Sequence, residues 1–155
     1  MKAALFTLFL FSLLHARGQA SCVIEAGAKL RKGPSAKSEV IANLEKFTPV
    51  KLSGKVENKF YEVTDAKSRK GWLRTRQVNQ ELTCLTVKVE KSRLRSGPGT
   101  EYDPKGLAKK SEVFRDLGGE DGWTQVENAR GEKAWINLDH TFKPRSKVRM
   151  SFEAD

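Results

Sequence analysis

His140 is the one histidine beyond the first twenty residues of this 155-residue chain. With Asp139 or another acid and a serine it could form a Ser–His–Asp hydrolase. Its place near the end of the chain reads more simply as a surface or satisfied histidine. The two cysteines, Cys22 and Cys84, could in principle serve a Cys–His peptidase, a metal or a disulfide. A peptidase needs a free Cys in a catalytic domain, and none reads out of this sequence; no His, Cys or carboxylate cluster has metal-ligand spacing. Glu120 and Asp121 are adjacent carboxylates. They sit in Leu117-Gly118-Gly119-Glu120-Asp121-Gly122, a turn composition that keeps them in solvent. No glycine-rich loop follows a strand and opens a helix, and Gly97-Pro98-Gly99 is turn chemistry. The expectation is a protein without catalysis, cofactor or metal, whose function is binding. A weak hydrolase using His140 stands as a minor reading, and it requires turnover that His140→Ala abolishes.

Bulk properties bound the partners. Lys2 opens the chain, Ala3 to Leu14 form an apolar run broken by Thr7 and Ser12, and Gly18-Gln19-Ala20 closes it with small residues. That order reads as a secretory signal peptide over residues 1–20, too short to anchor in a bilayer. No other stretch reads as a transmembrane segment. Cys22 just beyond the cut raises a lipoprotein alternative; Ala20-Ser21 suit it and Gln19 does not. The net charge is +10, and losing residues 1–20 removes only Lys2 and Arg17, leaving 27 basic against 19 acidic residues, or +8. A basic secreted protein associates with acidic surfaces such as wall polymers, anionic lipid or acidic proteins. Secretion and the lack of any basic motif argue against nucleic acid. Residues 145–155 form a basic tail leaving the fold after Phe142. The run Lys143-Pro144-Arg145-Ser146-Lys147-Val148-Arg149, which leads into it with four basic residues and no acid, makes it either a frayed terminus or an electrostatic tether.

The elements that must position any site repeat. Phe60-Tyr61-Glu62-Val63 aligns with Trp123-Thr124-Gln125-Val126, and Lys70-Gly71-Trp72-Leu73 with Lys133-Ala134-Trp135-Ile136. Val63 to Val126 and Trp72 to Trp135 are each 63 positions; Leu30-Arg31-Lys32-Gly33-Pro34 precedes Leu94-Arg95-Ser96-Gly97-Pro98 by 64, so one insertion separates the blocks. The period suits two copies of a compact module better than a solenoid. Leu85 to Val89, Glu112 to Phe114, Trp123 to Val126 and Ala134 to Ile136 read as short strands, punctuated by Gly and Asp turns. No sustained helical period occurs outside the leader; Leu138-Asp139-His140 could form a single helical turn.

Leu94-Arg95-Ser96-Gly97-Pro98-Gly99-Thr100-Glu101-Tyr102 resembles the opening signature of bacterial SH3-like (SH3b) domains. Gly122-Trp123-x-x-Val126 and Gly131-x-x-Ala134-Trp135-Ile136 are similar to its two later landmarks. The first copy keeps Leu30-Arg31-x-Gly33-Pro34 and Lys70-Gly71-Trp72-Leu73, puts Phe60 for the middle tryptophan and lacks the Gly-Thr. The resemblance implies an all-β fold, two small half-open barrels in tandem over 22–80 and 84–144. Gly33, Pro34, Gly97 and Pro98 are expected to make tight turns, proline fixing φ and glycine accepting positive φ. Trp72 and Trp135 are expected to be structural, an aromatic of this size filling much of a small barrel. SH3-like termini lie close together, which implies a Cys22–Cys84 disulfide in an oxidising compartment.

The same resemblance implies an aromatic-rimmed groove. Arg95, Tyr102 and Trp123 in the second copy, and Tyr61 and Arg31 in the first, are its candidate ligand contacts. Trp123 is equally readable as core, and Arg31 and Arg95 as braces for the turn. The expected partner is peptidoglycan through its peptide part. The alternative is an interaction or regulatory scaffold for an envelope enzyme or receptor. Localisation would be periplasmic or extracellular. The second copy, with the fuller signature, is the expected binder.

Overall fold

The computed structural model describes residues 20–144. The leader, apart from Ala20, and the tail over 145–155 lie outside the described residues. Seven strands build the first module: β1 (Ala20–Val23), β2 (Ala28–Arg31), β3 (Val40–Leu44), β4 (Pro49–Glu57), β5 (Phe60–Asp65), β6 (Lys70–Arg74) and β7 (Val78–Asn79). Seven more build the second: β8 (Cys84–Val87), β9 (Lys91–Arg95), β10 (Pro104–Lys109), β11 (Val113–Glu120), β12 (Trp123–Glu127), β13 (Lys133–Asn137) and β14 (Thr141–Phe142). A 3-10 turn precedes each last strand, Thr75–Gln77 and Leu138–His140, the latter where the sequence allows a helical turn.

The two sheets run β3-β2-β6-β5-β4-β1-β7 and β10-β9-β13-β12-β11-β8-β14, the same order with every strand replaced by its counterpart. All recorded pairings are antiparallel. The insertion sits in the bulge of the long strand that bends across each barrel. Between Leu52 and Val56 the register of β4 slips, and between Asp116 and Gly118 that of β11 slips by one residue fewer. Bulges of this kind let one strand serve both halves of a curled sheet. The β4–β5 hairpin turns through Asn58 and Lys59, both at positive φ, and the β11–β12 hairpin through Asp121 and Gly122, as a two-residue twisted turn requires.

Aliphatic side chains fill both barrels. Val23, Leu30, Val50, Val63 and Leu73 are at most 1% exposed in the first; Leu85, Val87, Val126 and Ile136 are equally buried in the second. Trp72 and Trp135 stand outside both clusters and are only half-buried, contrary to the barrel-filling expectation. The reason is the period of two. Leu73 and Ile136 are buried, so the tryptophan one residue earlier points to the opposite face.

The proline loops differ from expectation in their cause. Ser35 N–H donates to Gly33 O at 2.9 Å and Gly99 N–H to Gly97 O at 3.0 Å, a three-residue turn centred on Pro34 and Pro98. That geometry matches the φ proline imposes. Neither Gly33, Gly97 nor Gly99 has positive φ. Gly97 is needed for room instead, because a Cβ there would strike the Tyr102 ring.

A third apolar cluster joins the modules: Cys22, Phe47, Cys84 and the partly buried Leu82. Cys22 and Cys84 form the disulfide. Phe47 has φ 71°, as does its counterpart Ser111. A non-glycine residue there costs about 1–3 kcal/mol. Burying a phenylalanine contributes about 1.5–3 kcal/mol, so the neighbouring module offsets the strain.

Each module ends in a clasp. Gln80 Nε2 donates to Tyr61 Oη at 2.9 Å, and the counterpart Lys143 pairs with Asp116, which also accepts from Thr124 Oγ1 at 2.5 Å. Lys143 is thus fastened to β11 and does not belong to a frayed tail. Burial raises the Asp116 carboxyl, but hydrogen bonds from Lys143, Thr124 and Gly118 N–H, with the Lys143 charge, outweigh it and hold the group below its ordinary value.

Two outcomes follow from these fastenings. Closing the 62-residue separation stabilises by about 4 kcal/mol on the chain-entropy account, so the Cys22→Ser/Cys84→Ser variant should unfold at much lower urea. The non-reduced protein should show no reactive thiol. Asp116 titrates lower folded than unfolded, so its contribution is complete above about pH 4 and is lost as pH falls through the folded value. Asp116→Asn should flatten the acid limb of the stability curve below about pH 4.

Candidate functional site

Residues directly opposite on antiparallel neighbours share a face. Trp135 stands opposite Gln125 of β12 and Arg95 of β9, and Trp123 stands opposite Asn137. These five residues therefore lie on the face turned away from Ile136 and Val126. Trp123 and Trp135 are diagonal neighbours, within the reach of two aromatic side chains. The first module repeats the arrangement with Arg31, Trp72, Glu62, Phe60 and Arg74. There the Arg74 guanidinium lies 5.3 Å from the Phe60 ring centroid, a cation–π contact.

The arginines hold the long loop beside this face. Arg31 Nη1 donates to Ser38 O and Arg95 Nη1 to Tyr102 O, each at 2.7 Å. Lys32 N–H to Glu39 O and Ser96 N–H to Asp103 O close the same loop at its base. Arg95 Nε is buried with no hydrogen-bond partner. Each arginine is thus a brace whose charge stays beside a half-buried tryptophan. The faces differ in charge. Glu62, 3.9 Å from Lys55, sits beside Trp72, whereas the neutral Gln125 sits beside Trp135.

Of the five candidate contacts, Arg95 and Tyr102 are brought together, with Tyr102 42% exposed beside the loop base. Arg31 occupies the matching place in the first module. Trp123 belongs to the same face but is 9% exposed. Tyr61 points to the core side, packs on the first cluster and ends in the clasp with Gln80, so it is no part of this face. Trp72 and Trp135, assigned above to structure alone, are the half-buried aromatics at its centre. The alternation Ala134-Trp135-Ile136 carried that signal, because a strand cannot turn neighbouring Trp and Ile both inward.

His140 Nδ1 lies 2.8 Å from the Ser92 hydroxyl, and Ser92 is 2% exposed. Asp139 N–H donates to Asn137 Oδ1 in the cap of the turn. The pair ties β9 to the 3-10 turn. Among the described residues no group of three or more His, Cys, Asp or Glu is placed to hold a metal, and no helix is long and apolar enough to cross a membrane.

The two faces of β13 should separate in stability measurements. Ile136→Ala should cost about 2–5 kcal/mol. Trp135→Ala should cost about 1 kcal/mol, as expected for a side chain outside the core. Equal losses in urea titrations would place Trp135 in the core after all.

Residues 26–79 match the family model described as the bacterial SH3 domain. The matched stretch is the first module, whose sequence departs further from the opening signature. Among solved structures, NlpC1 and NlpC2 from Trichomonas vaginalis are each 16% identical with a TM-score of 0.38. NlpC1 covers 84% of this chain and 47% of its own, NlpC2 86% and 51%, so the chain spans about half the length of either. No curated protein matches. The chain carries a bacterial SH3 domain over residues 26–79, and its second module repeats that domain's strand order.

Proposed function

We propose that this is a non-catalytic, extracytoplasmic binding protein whose two modules hold peptidoglycan through its peptide part. The observation that carries the reading is the Arg–Trp face, built at the same register in both modules beside a braced loop. A flat aromatic next to a fixed cation suits a peptide that presents methyl groups and carboxylates. The Cys22–Cys84 bond supports an oxidising compartment, as does the expected leader over 1–20. The net charge, +8 once the expected leader is removed, favours approach to an anionic envelope. Two linked faces add avidity where both reach ligand.

The faces need not read the same group. The first face carries Arg74 and the Glu62–Lys55 pair where the second carries the neutral Asn137 and Gln125, so the two offer a ligand different polar partners.

The test is cosedimentation with purified sacculi, with and without their anionic polymers. The protein should pellet with stripped sacculi at low salt. The Trp72→Ala/Trp135→Ala variant should bind about tenfold or more weakly while keeping its far-ultraviolet spectrum. Protein that stays in the supernatant overturns the reading. If that protein instead crosslinks to one envelope enzyme or receptor, the scaffold reading replaces it.

A further inference from the structure

Both barrels open on the side away from the Arg–Trp face, between the edge strand and the turn that joins the two strands after the bulge. That turn is built alike in each module. Asp65 Oδ1 accepts from Lys67 N–H and Arg69 N–H, and Asn128 Oδ1 accepts from Arg130 N–H and Glu132 N–H, at 2.9–3.0 Å. The openings differ. In the first module the cleft beside this turn is ≈ 130 Å³ and is roofed by Thr86, Ser111 and Val113 of the second. Asp65 is clamped there by Arg69 at 2.7 Å, its side chain 2% exposed, and Leu30 beneath is fully buried. In the second module the corresponding cleft is ≈ 530 Å³ and continues into a chamber of ≈ 410 Å³ that shares Leu94, Lys105 and Phe114. Leu94, the counterpart of Leu30, is only half-buried. One frame is closed in the first module and open in the second.

We infer that the open mouth of the second barrel is a binding site for a short peptide segment with one apolar side chain and a free carboxylate. Its size falls within the range of small-ligand pockets, about 300–1,000 Å³. The floor is apolar: Leu94, Phe114 and the 57% exposed Leu107 at the lip. The rim supplies the charge. Arg130 is spent on Glu132 at 2.9 Å. Lys46 from the first module, whose ammonium also lies 4.9 Å from the Phe47 ring centroid, Lys105 and Lys133 remain, against Glu45, Glu112 and the Arg130-paired Glu132. Lys105 Nζ donates to Lys133 O at 2.9 Å, which lays one ammonium across the mouth where a carboxylate would end. An apolar side chain in the barrel and its carboxylate on these lysines satisfy both halves of the site.

This site is independent of the Arg–Trp faces, and the experiment keeps the two apart. N-acetyl-alanyl-leucine is titrated into ¹⁵N-labelled protein, with its C-terminal amide and N-acetyl-alanyl-glycine as controls. Saturable shifts are expected at Leu94, Gly106, Phe114 and Arg130, with the amide and the glycine peptide each about tenfold weaker. Gly106 gives a clean block, because a Cβ there meets no atom within 4 Å. Gly106→Trp should abolish the shifts, and Lys105→Glu/Lys133→Glu should weaken binding about tenfold if the block disturbs the strand. Trp72→Ala/Trp135→Ala should leave this binding unchanged. No saturable shift, shifts confined to the Arg–Trp faces, or equal binding of acid and amide would each overturn the proposal.

Discussion

A β-strand can give the core only every second residue, and in barrels this small that rule decides where every large side chain goes. Leu73 and Ile136 take the inward positions, so Trp72 and Trp135 are turned to the opposite face. There each meets the arginine that follows an inward-facing strand leucine, Leu30 or Leu94. The Arg–Trp face is therefore a by-product of how the core is filled. The loop beside it is held by the same arginine, so face and loop are set together.

The duplication is strict in topology and loose in chemistry. Leu52 and Tyr61 of the first barrel become Asp116 and Thr124 in the second, and an apolar contact capped by Gln80 becomes a polar cluster capped by Lys143. At the junction Cys22 and Phe47 correspond to Thr86 and Ser111. The first pair is buried against the next module, and the second pair lines the cleft between the modules. Thr86 Oγ1 is left buried without a hydrogen-bond partner there. Each module has become specialised for its neighbour, although both retain one frame.

Much of this was legible in the sequence. The 63- and 64-residue offsets gave two modules and an insertion, which the bulges of β4 and β11 now locate. The cysteine pair followed from the resemblance, and Arg31 and Arg95 proved to be braces, one of the two roles they could fill. What failed was inference from size alone. Trp72 and Trp135 are large enough to fill a barrel yet stand outside the core, and Tyr61, an aromatic expected in the groove, packs on the core instead; strand phase decides both. Pro104 and Gly106 interrupt any strand pattern over β10, and proline is accommodated there because β10 is an edge strand. The barrel mouths were invisible for another reason: they depend on how two modules lie together, which no local pattern encodes.

The Cys22–Cys84 bond also determines how the molecule would bear load. It sits near the start of the first module and at the first residue of β8, so nearly all of that module lies inside a covalent loop. Tension applied between the two ends of the fold would pass through the sulfur bridge and skip the first barrel. Only the second would be drawn out. A protein held at one end and pulled at the other would thus unravel one module while the other stayed folded.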